Sequence, residues 1–298
     1  MDHQGQLRRA ATEVGIPDDE IGKFTAHLRL AIRLSGGSGG APVGQFGGLP
    51  RLPVGTDWPT AGANPLPFIF SVDCAALPRV DGFGLPAAGS LLFFLAHQED
   101  HLAGATGDRR YARVVYLPAD TDTEVAEQPH IPTFVGEQYD VFATLVARLP
   151  PWMATRDDDD DEDDDDEDDL SPFQQQLTRD LERDLPHLGE LRALADDLWP
   201  PDEGLASADI GGYVDDEVIR SIAEQTLAGR EKAGEIVVPV AQWYTQLEKE
   251  QHRLTSEWVS LARFSLAEEF YYGSFVIRHD DLAAGRLDEA LSVTEFSE

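Results

Sequence analysis

Two stretches of this 298-residue chain repeat one order of parts, and that repetition is the strongest constraint on what it can fold into. The first runs through Phe68 to Asp73, a Gly/Pro-rich connection, Gly89 to Leu95, His97-Gln98-Glu99-Asp100 and Leu102-Ala103-Gly104. The second runs through Trp258 to Phe264, an acidic and aromatic bend at Glu268-Glu269-Phe270-Tyr271-Tyr272, Gly273 to His279, Asp280-Asp281 and Leu282-Ala283-Ala284-Gly285. Short runs of β-branched and aromatic residues bounded by Gly and charged residues predict strands. Each stretch therefore reads as strand, bend, strand and exit. The expectation is an α+β protein whose mostly antiparallel sheets come from an internally duplicated strand-bend-strand unit.

Helices frame those strands. Gln4 to Ser35 reads as helical with a break at Gly15-Ile16-Pro17-Asp18. Pro17 suits a first helical turn, and Asp18, Asp19 and Glu20 suit the positive end of the helix dipole. Ile21, Phe24, Leu28 and Ile32 recur at helical spacing and predict one apolar stripe docking on a body. Pro172 to Trp199 reads as helical with a break at Pro186, its leucines serving as core, and Asp215 to Leu227 and Pro239 to Leu254 read as two more helices. Ala112 to Leu117 and Tyr139 to Leu149 are strand candidates, the latter long enough to be a helix, and Leu291 to Phe296 closes as a strand. Ser35 to Gly40 lacks the strand before and the helix start after that a phosphate loop requires, so it reads as a flexible joint.

Thirteen adjacent carboxylates, Asp157 to Asp169, cannot pack and repel one another, so a solvated, disordered insertion is expected there. Three readings stay open for its members Asp157, Asp161, Asp165 and Asp169: a solubility spacer, a weak multivalent cation or polyamine binder, or a nucleic-acid mimic that engages a basic partner. A calcium loop of the usual kind is disfavoured, because the run has no turn Gly. The whole chain carries 23 Lys and Arg against 56 Asp and Glu, a net charge of −33. Like charge argues against nucleic acid and anionic membrane as partners and leaves a basic protein as the favoured one. A single cysteine, the absence of a charged-then-apolar leader after Met1 and the lack of any run of about 20 apolar residues point to a cytoplasmic protein.

A denser motif lies before the first strand. Phe46-Gly47-Gly48-Leu49-Pro50, Leu52-Pro53, Gly55, Trp58-Pro59, Pro65-Leu66, Phe68, Val72-Asp73, Ala75, Leu77-Pro78, Leu85-Pro86, Gly89, Leu91 and Phe93-Phe94 together resemble the YwqG-like domain family, bacterial proteins without an established function. The resemblance is specific over residues 44–100, weaker at Gly211-Gly212-Tyr213 and from Trp258 to Phe296, and skips the middle. It implies a ligand or partner site at Gly47, Gly48, Trp58, Asp73, Tyr213, Tyr271 and Tyr272, where the repeated loops and bends would converge. The chain departs from the family pattern where Ser71 and Arg263-Phe264-Ser265 replace a Gln before Ile/Val-Asp, where Val214 replaces the Pro of Gly-Tyr-Pro, and where the second bend has no Asp. A site formed by those polar positions in relatives is altered or lost in this one.

No constellation names a reaction. His97 and His101 would need a helix to face one metal. In the extended segment expected after the strand they stand about 13 Å apart at ~3.3 Å per residue, so no metal site is expected. Asp73, Asp81, Glu99 and Asp100 fit surface and capping roles, and Cys74 reads as a small buried residue without a visible His partner. No cofactor is implied. The domain plan is an N-terminal helical arm over 1–40, a β-rich unit over 41–150, an acidic insertion over 151–172, a helical segment over 173–204 and a second β-rich unit over 205–298, with 41–298 one YwqG-like domain. The function expected is a non-enzymatic binding or accessory module, of immunity type by the family resemblance, with an acidic interaction surface. The alternative is an enzyme, such as a hydrolase, using carboxylates at the duplicated bends.

Overall fold

The structure, a computed structural model, describes residues 2–37, 40–103, 109–130, 136–153, 171–200, 206–265 and 271–296. The acidic run and the bend residues 268–270 lie outside the described residues. In chain order, α1 (His3–Glu13) starts at Asp2, whose carboxylate accepts the Gly5 N–H at 2.8 Å, and α2 (Asp18–His27) follows the positive-φ turn at Gly15. Next come β1 (Arg29–Gly36), β2 (Gly44–Phe46), β3 (Arg51–Pro53), β4 (Thr60–Ala61), β5 (Asn64–Pro65), β6 (Phe68–Asp73) and β7 (Ser90–Leu95). After α3 (His97–Ala103) come β8 (Ala112–Leu117), β9 (Thr123–Val125) and β10 (Tyr139–Arg148). The helices α4 (Pro172–Asp184) and α5 (Leu188–Leu198), strand β11 (Ala206–Gly211), and helices α6 (Asp216–Lys232) and α7 (Trp243–Glu257) lead to β12 (Trp258–Ser265), β13 (Tyr271–Arg278), α8 (His279–Ala283) and β14 (Leu291–Phe296).

The helical reading from Gln4 to Ser35 is corrected from Arg29 onward, where the chain is strand β1. Ile32 fits the three- and four-residue spacing of Ile21, Phe24 and Leu28, yet it also alternates with Leu30 and Leu34. All three are buried, and period two wins once neighbouring strands pair with it. A second correction concerns His97 to His101, which form the start of helix α3, with Glu99 and Asp100 in its first turn.

These elements gather into two compact units, each discontinuous in sequence. The helical unit comprises Met1–Arg29, Ala147–Pro201 and Gly212–Trp258. In it α1 packs on α2 and α5 through Leu7, Ala11, Ile21, Phe24, Leu191 and Ala195, while α6 packs on α7 through Ile219, Ala223, Leu227, Leu247 and Leu254. Helix α4 begins with a capping box at Ser171 and Gln174 and has no buried residue, so Leu177 and Leu181 are half-buried surface leucines rather than core.

The sheet unit comprises Leu30–Val146, Asp202–Gly211 and Val259–Glu298. Among the described residues its ten-stranded sheet runs β14-β13-β12-β11-β1-β10-β2-β6-β7-β8, with antiparallel pairing wherever the register is defined. The two outer quartets are built alike. In one, Gly44 lies opposite Val72 and Gln45 opposite Ser71; in the other, Ala208 lies opposite Phe264 and Asp209 opposite Arg263. Each short first strand ends in two positive-φ glycines, Gly47-Gly48 and Gly211-Gly212, and each second hairpin strand runs into a helix beginning with His, α3 and α8. The core between the quartets holds four phenylalanines, each no more than 2% exposed. Phe70 stacks on Phe93 at 4.4 Å, Phe264 on Phe275 at 6.1 Å, and the pairs meet at 5.5 Å through Phe70–Phe264 and Phe93–Phe275. Gly273 makes room for this cluster, since a Cβ there would lie 2.5 Å from the Phe264 ring and 2.6 Å from Leu95.

Candidate functional site

The sheet unit has a second, smaller apolar cluster of Leu52, Leu66, Phe68, Leu92, Phe94 and Leu117, and a short ribbon of β3 and β9 lies on it. Trp58 closes its edge. Its indole N–H donates to the Leu66 carbonyl at 2.7 Å and its ring meets Phe94 edge-on at 6.1 Å. Leu52 anchors the ribbon in this cluster, so Arg51 and its partner Val125 point the other way. Hydrogen bonds fix the ends: Val54 N–H donates to the Asp122 carbonyl at 3.1 Å, Ala126 N–H to the Pro50 carbonyl at 2.9 Å, and Gly55 N–H to the Glu124 carboxylate at 3.3 Å.

The ribbon shows solvent a mixed surface. Val54 is 56% exposed and Val125 55%, and the same two segments carry the exposed acids Asp57, Asp120, Asp122, Glu124 and Glu127. The one cation of the ribbon, Arg51, is turned along its own strands, donating to the Thr123 carbonyl at 2.7 Å and hydroxyl at 3.3 Å. Exposed apolar side chains on an acidic ribbon can desolvate against apolar groups while the carboxylates meet cations.

The residues singled out by sequence each have defined local surroundings. Gly47 and Gly48, both at positive φ, lie against residues 136–138; a Cβ on Gly47 would meet the Glu137 carbonyl at 2.6 Å, and one on Gly48 the Gln138 side chain at 2.6 Å. Asp73 is exposed and accepts the Ala75 N–H at 2.9 Å, closing an Asx-type turn. Tyr272 lies under the Arg263 guanidinium at 4.9 Å, and the side chain of Tyr271 lies outside the described part of the chain, as do Asp157, Asp161, Asp165 and Asp169.

Tyr213 belongs to the helical unit, where its hydroxyl donates to the His27 carbonyl at 2.7 Å and the Arg29 guanidinium covers its ring at 4.0 Å. Arg29 in turn donates to the Trp258 carbonyl at 3.2 Å. Burial lowers the Arg29 pKa and raises that of Tyr213. Tyr213→Phe, which keeps the ring under Arg29 and removes only the hydroxyl, is expected to cost about 1 kcal/mol in urea unfolding, and Tyr213→Ala distinctly more.

Cys74 is 1% exposed and burial pushes its thiol up to about 11, so it stays protonated at neutral pH. Asp100, expected at the surface or as a cap, is 3% exposed and accepts hydrogen bonds from the Ser292 hydroxyl at 2.6 Å and the Thr294 hydroxyl at 2.9 Å. His101 Nδ1 lies 3.3 Å from the Thr294 carbonyl, so one turn of α3 grips β14 at two points. The helix puts His97 and His101 one turn apart after all. Among the described residues no group of three His, Cys, Asp or Glu is placed to hold a metal. Also among the described residues, no helix is long and apolar enough to cross a membrane.

Comparison with known families decides the affiliation. The model described as Domain of unknown function (DUF1963) matches residues 44–295. The chain belongs to the DUF1963 family. No curated protein matches it. The DUF1963 match opens at the first residue of β2 and ends inside β14, so α1, α2 and β1 precede it, although β1 lies between β10 and β11 in the sheet. The ribbon and Trp58 fall within the DUF1963 region; their segments read as loops in the sequence, because strands of three residues are too short for alternation to mark them.

Proposed function

We propose that this DUF1963 protein is a YwqG-like, non-enzymatic binding module of the bacterial cytoplasm that takes a basic protein on the β3–β9 ribbon, in an accessory or immunity-type role. The observation that carries the reading is a ribbon that exposes Val54 and Val125, carries five exposed carboxylates and has a single arginine turned along its own strands. Net charge supports it, since a −33 chain steers cationic partners toward itself at low ionic strength. Trp58 then acts as the support of the ribbon rather than as a contact. The matched register of the two quartets supports an ancestral duplication, in which the first copy carries β3 between its first and second strands and β9 after its fourth.

The test is retention of basic proteins from native cytoplasm by three forms of the chain: intact, lacking 157–169, and Asp120→Lys/Asp122→Lys/Glu124→Lys. Retention by the first two at low salt, and a loss of about tenfold or more in the third and at high salt, is the expected pattern. Equal retention by the triple variant would sink the ribbon as the site. Loss on deletion of 157–169 alone would move the site to the acidic run.

A further inference from the structure

The two strands of the ribbon offer unlike edges. Val54 N–H donates across it to the Asp122 carbonyl at 3.1 Å, and Ala126 N–H to the Pro50 carbonyl at 2.9 Å. Bonded pairs alternate along an antiparallel ladder, so Leu52 and Glu124, midway between these two, form the third, and the main-chain groups of the residues in between turn outward. On β3 those residues are Arg51 and Pro53, and Pro53 has no N–H to give. On β9 they are Thr123 and Val125, which present two N–H and two carbonyl groups. Among the described residues no third strand joins the pair, and Glu124 and Val125 are exposed. An open edge of this kind is a template for another strand.

The side chains along β9 specify what that edge takes. Successive residues of a strand alternate faces, so Asp122 and Glu124 share one face and Thr123 and Val125 the other. No Lys or Arg occurs between Arg113 and Arg148. A strand laid antiparallel on β9 therefore meets carboxylates on one face and an exposed valine on the other, and its matching sequence alternates basic and apolar residues. A second copy of β9 would instead set carboxylate against carboxylate. One cation guards the edge. Arg51 belongs to β3, yet its guanidinium reaches across the ribbon to donate to the Thr123 carbonyl at 2.7 Å and the Thr123 hydroxyl at 3.3 Å. That carbonyl is one of the four outward groups, so Arg51 blunts the edge that a third strand would use.

We propose that the basic partner docks as a third strand on the outer edge of β9, through an extended segment of alternating basic and apolar residues that displaces the Arg51 guanidinium from Thr123. Docking of this kind presupposes that the ribbon is the binding site and specifies how the partner is held. Main-chain hydrogen bonds hold the segment, and alternate side chains select it. Its apolar residues lie opposite Thr123 and Val125 and carry the N–H and carbonyl groups that meet the edge, while its basic residues lie on the face of Asp122 and Glu124. Arg51 sets a threshold, because a segment with an incomplete set of main-chain partners does not offset the loss of the Arg51 hydrogen bonds.

The test is fluorescence anisotropy of a labelled peptide of about ten residues, alternating lysine and valine, titrated with the full chain at low and high salt. Methylating the valine amide nitrogens keeps the peptide's charge and removes the donors that face β9; this is expected to weaken binding about tenfold. Val125→Pro removes only an outward N–H, which an edge strand tolerates, and is expected to weaken binding of the plain peptide to a similar degree with unchanged circular dichroism. Arg51→Ala is expected to tighten it about threefold, with a gain that persists at high salt, where the lost charge is screened. If Asp120→Lys/Asp122→Lys/Glu124→Lys abolishes binding but the methylated peptide and Val125→Pro bind as the parents do, strand addition is overturned and the ribbon stands as the site. No binding to the intact chain, or binding that the triple variant retains, overturns both. An Arg51→Ala chain that binds no more tightly removes Arg51 as the guard of the edge.

Discussion

Phe93→Ala is expected to lower stability by about 3–5 kcal/mol, the range for emptying a fully packed aromatic position. Phe93 is fully buried, stacks on Phe70 at 4.4 Å and meets Phe275 at 5.5 Å, so it joins the phenylalanine of its own quartet to one from the other. Removing the ring deletes both ring contacts and leaves a void that β-strands, pinned by their ladders, close poorly. Phe46→Ala is the internal control. Phe46 also stacks on Phe70, at 5.9 Å, but it is half-buried at the border of the cluster and should cost clearly less. Urea unfolding gives both values, and an unchanged slope with a lower midpoint identifies the loss as one of native packing. A cost for Phe93→Ala near that of Phe46→Ala would show that the four rings do not act as the joint between the quartets.

Where the sequence could be read, local chemistry and tertiary demand agreed. Ala112 to Leu117 and Leu291 to Phe296 are strands with the bounds expected of them, because a short β-rich run with nothing helical in its spacing leaves no competing reading. Tyr139 to Arg148 could have been a helix by length; pairing of Tyr139 with Phe46 and of Val141 with Gly44 makes it a strand. β1 was hidden because Ile32 satisfies two periods at once. The helical unit gathers three distant segments, and nothing within α2 announces that α5 will cover it. The exposed valines are illegible for the opposite reason. Val237, Val240, Val54 and Val125 look like core residues in a sequence, and only a surface reveals that nothing of the described chain buries them. Asp100 is the sharpest case, since its burial depends on Ser292 and Thr294, which lie far along the chain.

Asp100 also yields a pH dependence whose sign can be worked out. Burial raises its pKa, while the hydroxyls of Ser292 and Thr294 and the neighbouring His101 pull it back down; burial is the largest effect and the net shift is upward. The folded chain therefore holds this proton more tightly than the unfolded chain does. The group's contribution is fully present below the unfolded pKa of about 3.9 and is lost as pH rises through the folded value. Asp100→Asn has no proton to bind, so wild type should gain stability relative to it as pH falls from 7 toward 4, and the difference between the two chains cancels the titration of the other carboxylates. Asp100→Ala at neutral pH is expected to cost about 2–3 kcal/mol, because the buried Thr294 hydroxyl and the half-buried Ser292 hydroxyl lose their acceptor. Smaller losses in Ser292→Ala and Thr294→Ala would trace that cost to the same grip of α3 on β14. If wild type instead loses ground to Asp100→Asn on acidification, the hydroxyls and His101 outweigh burial and the carboxylate is held ionised.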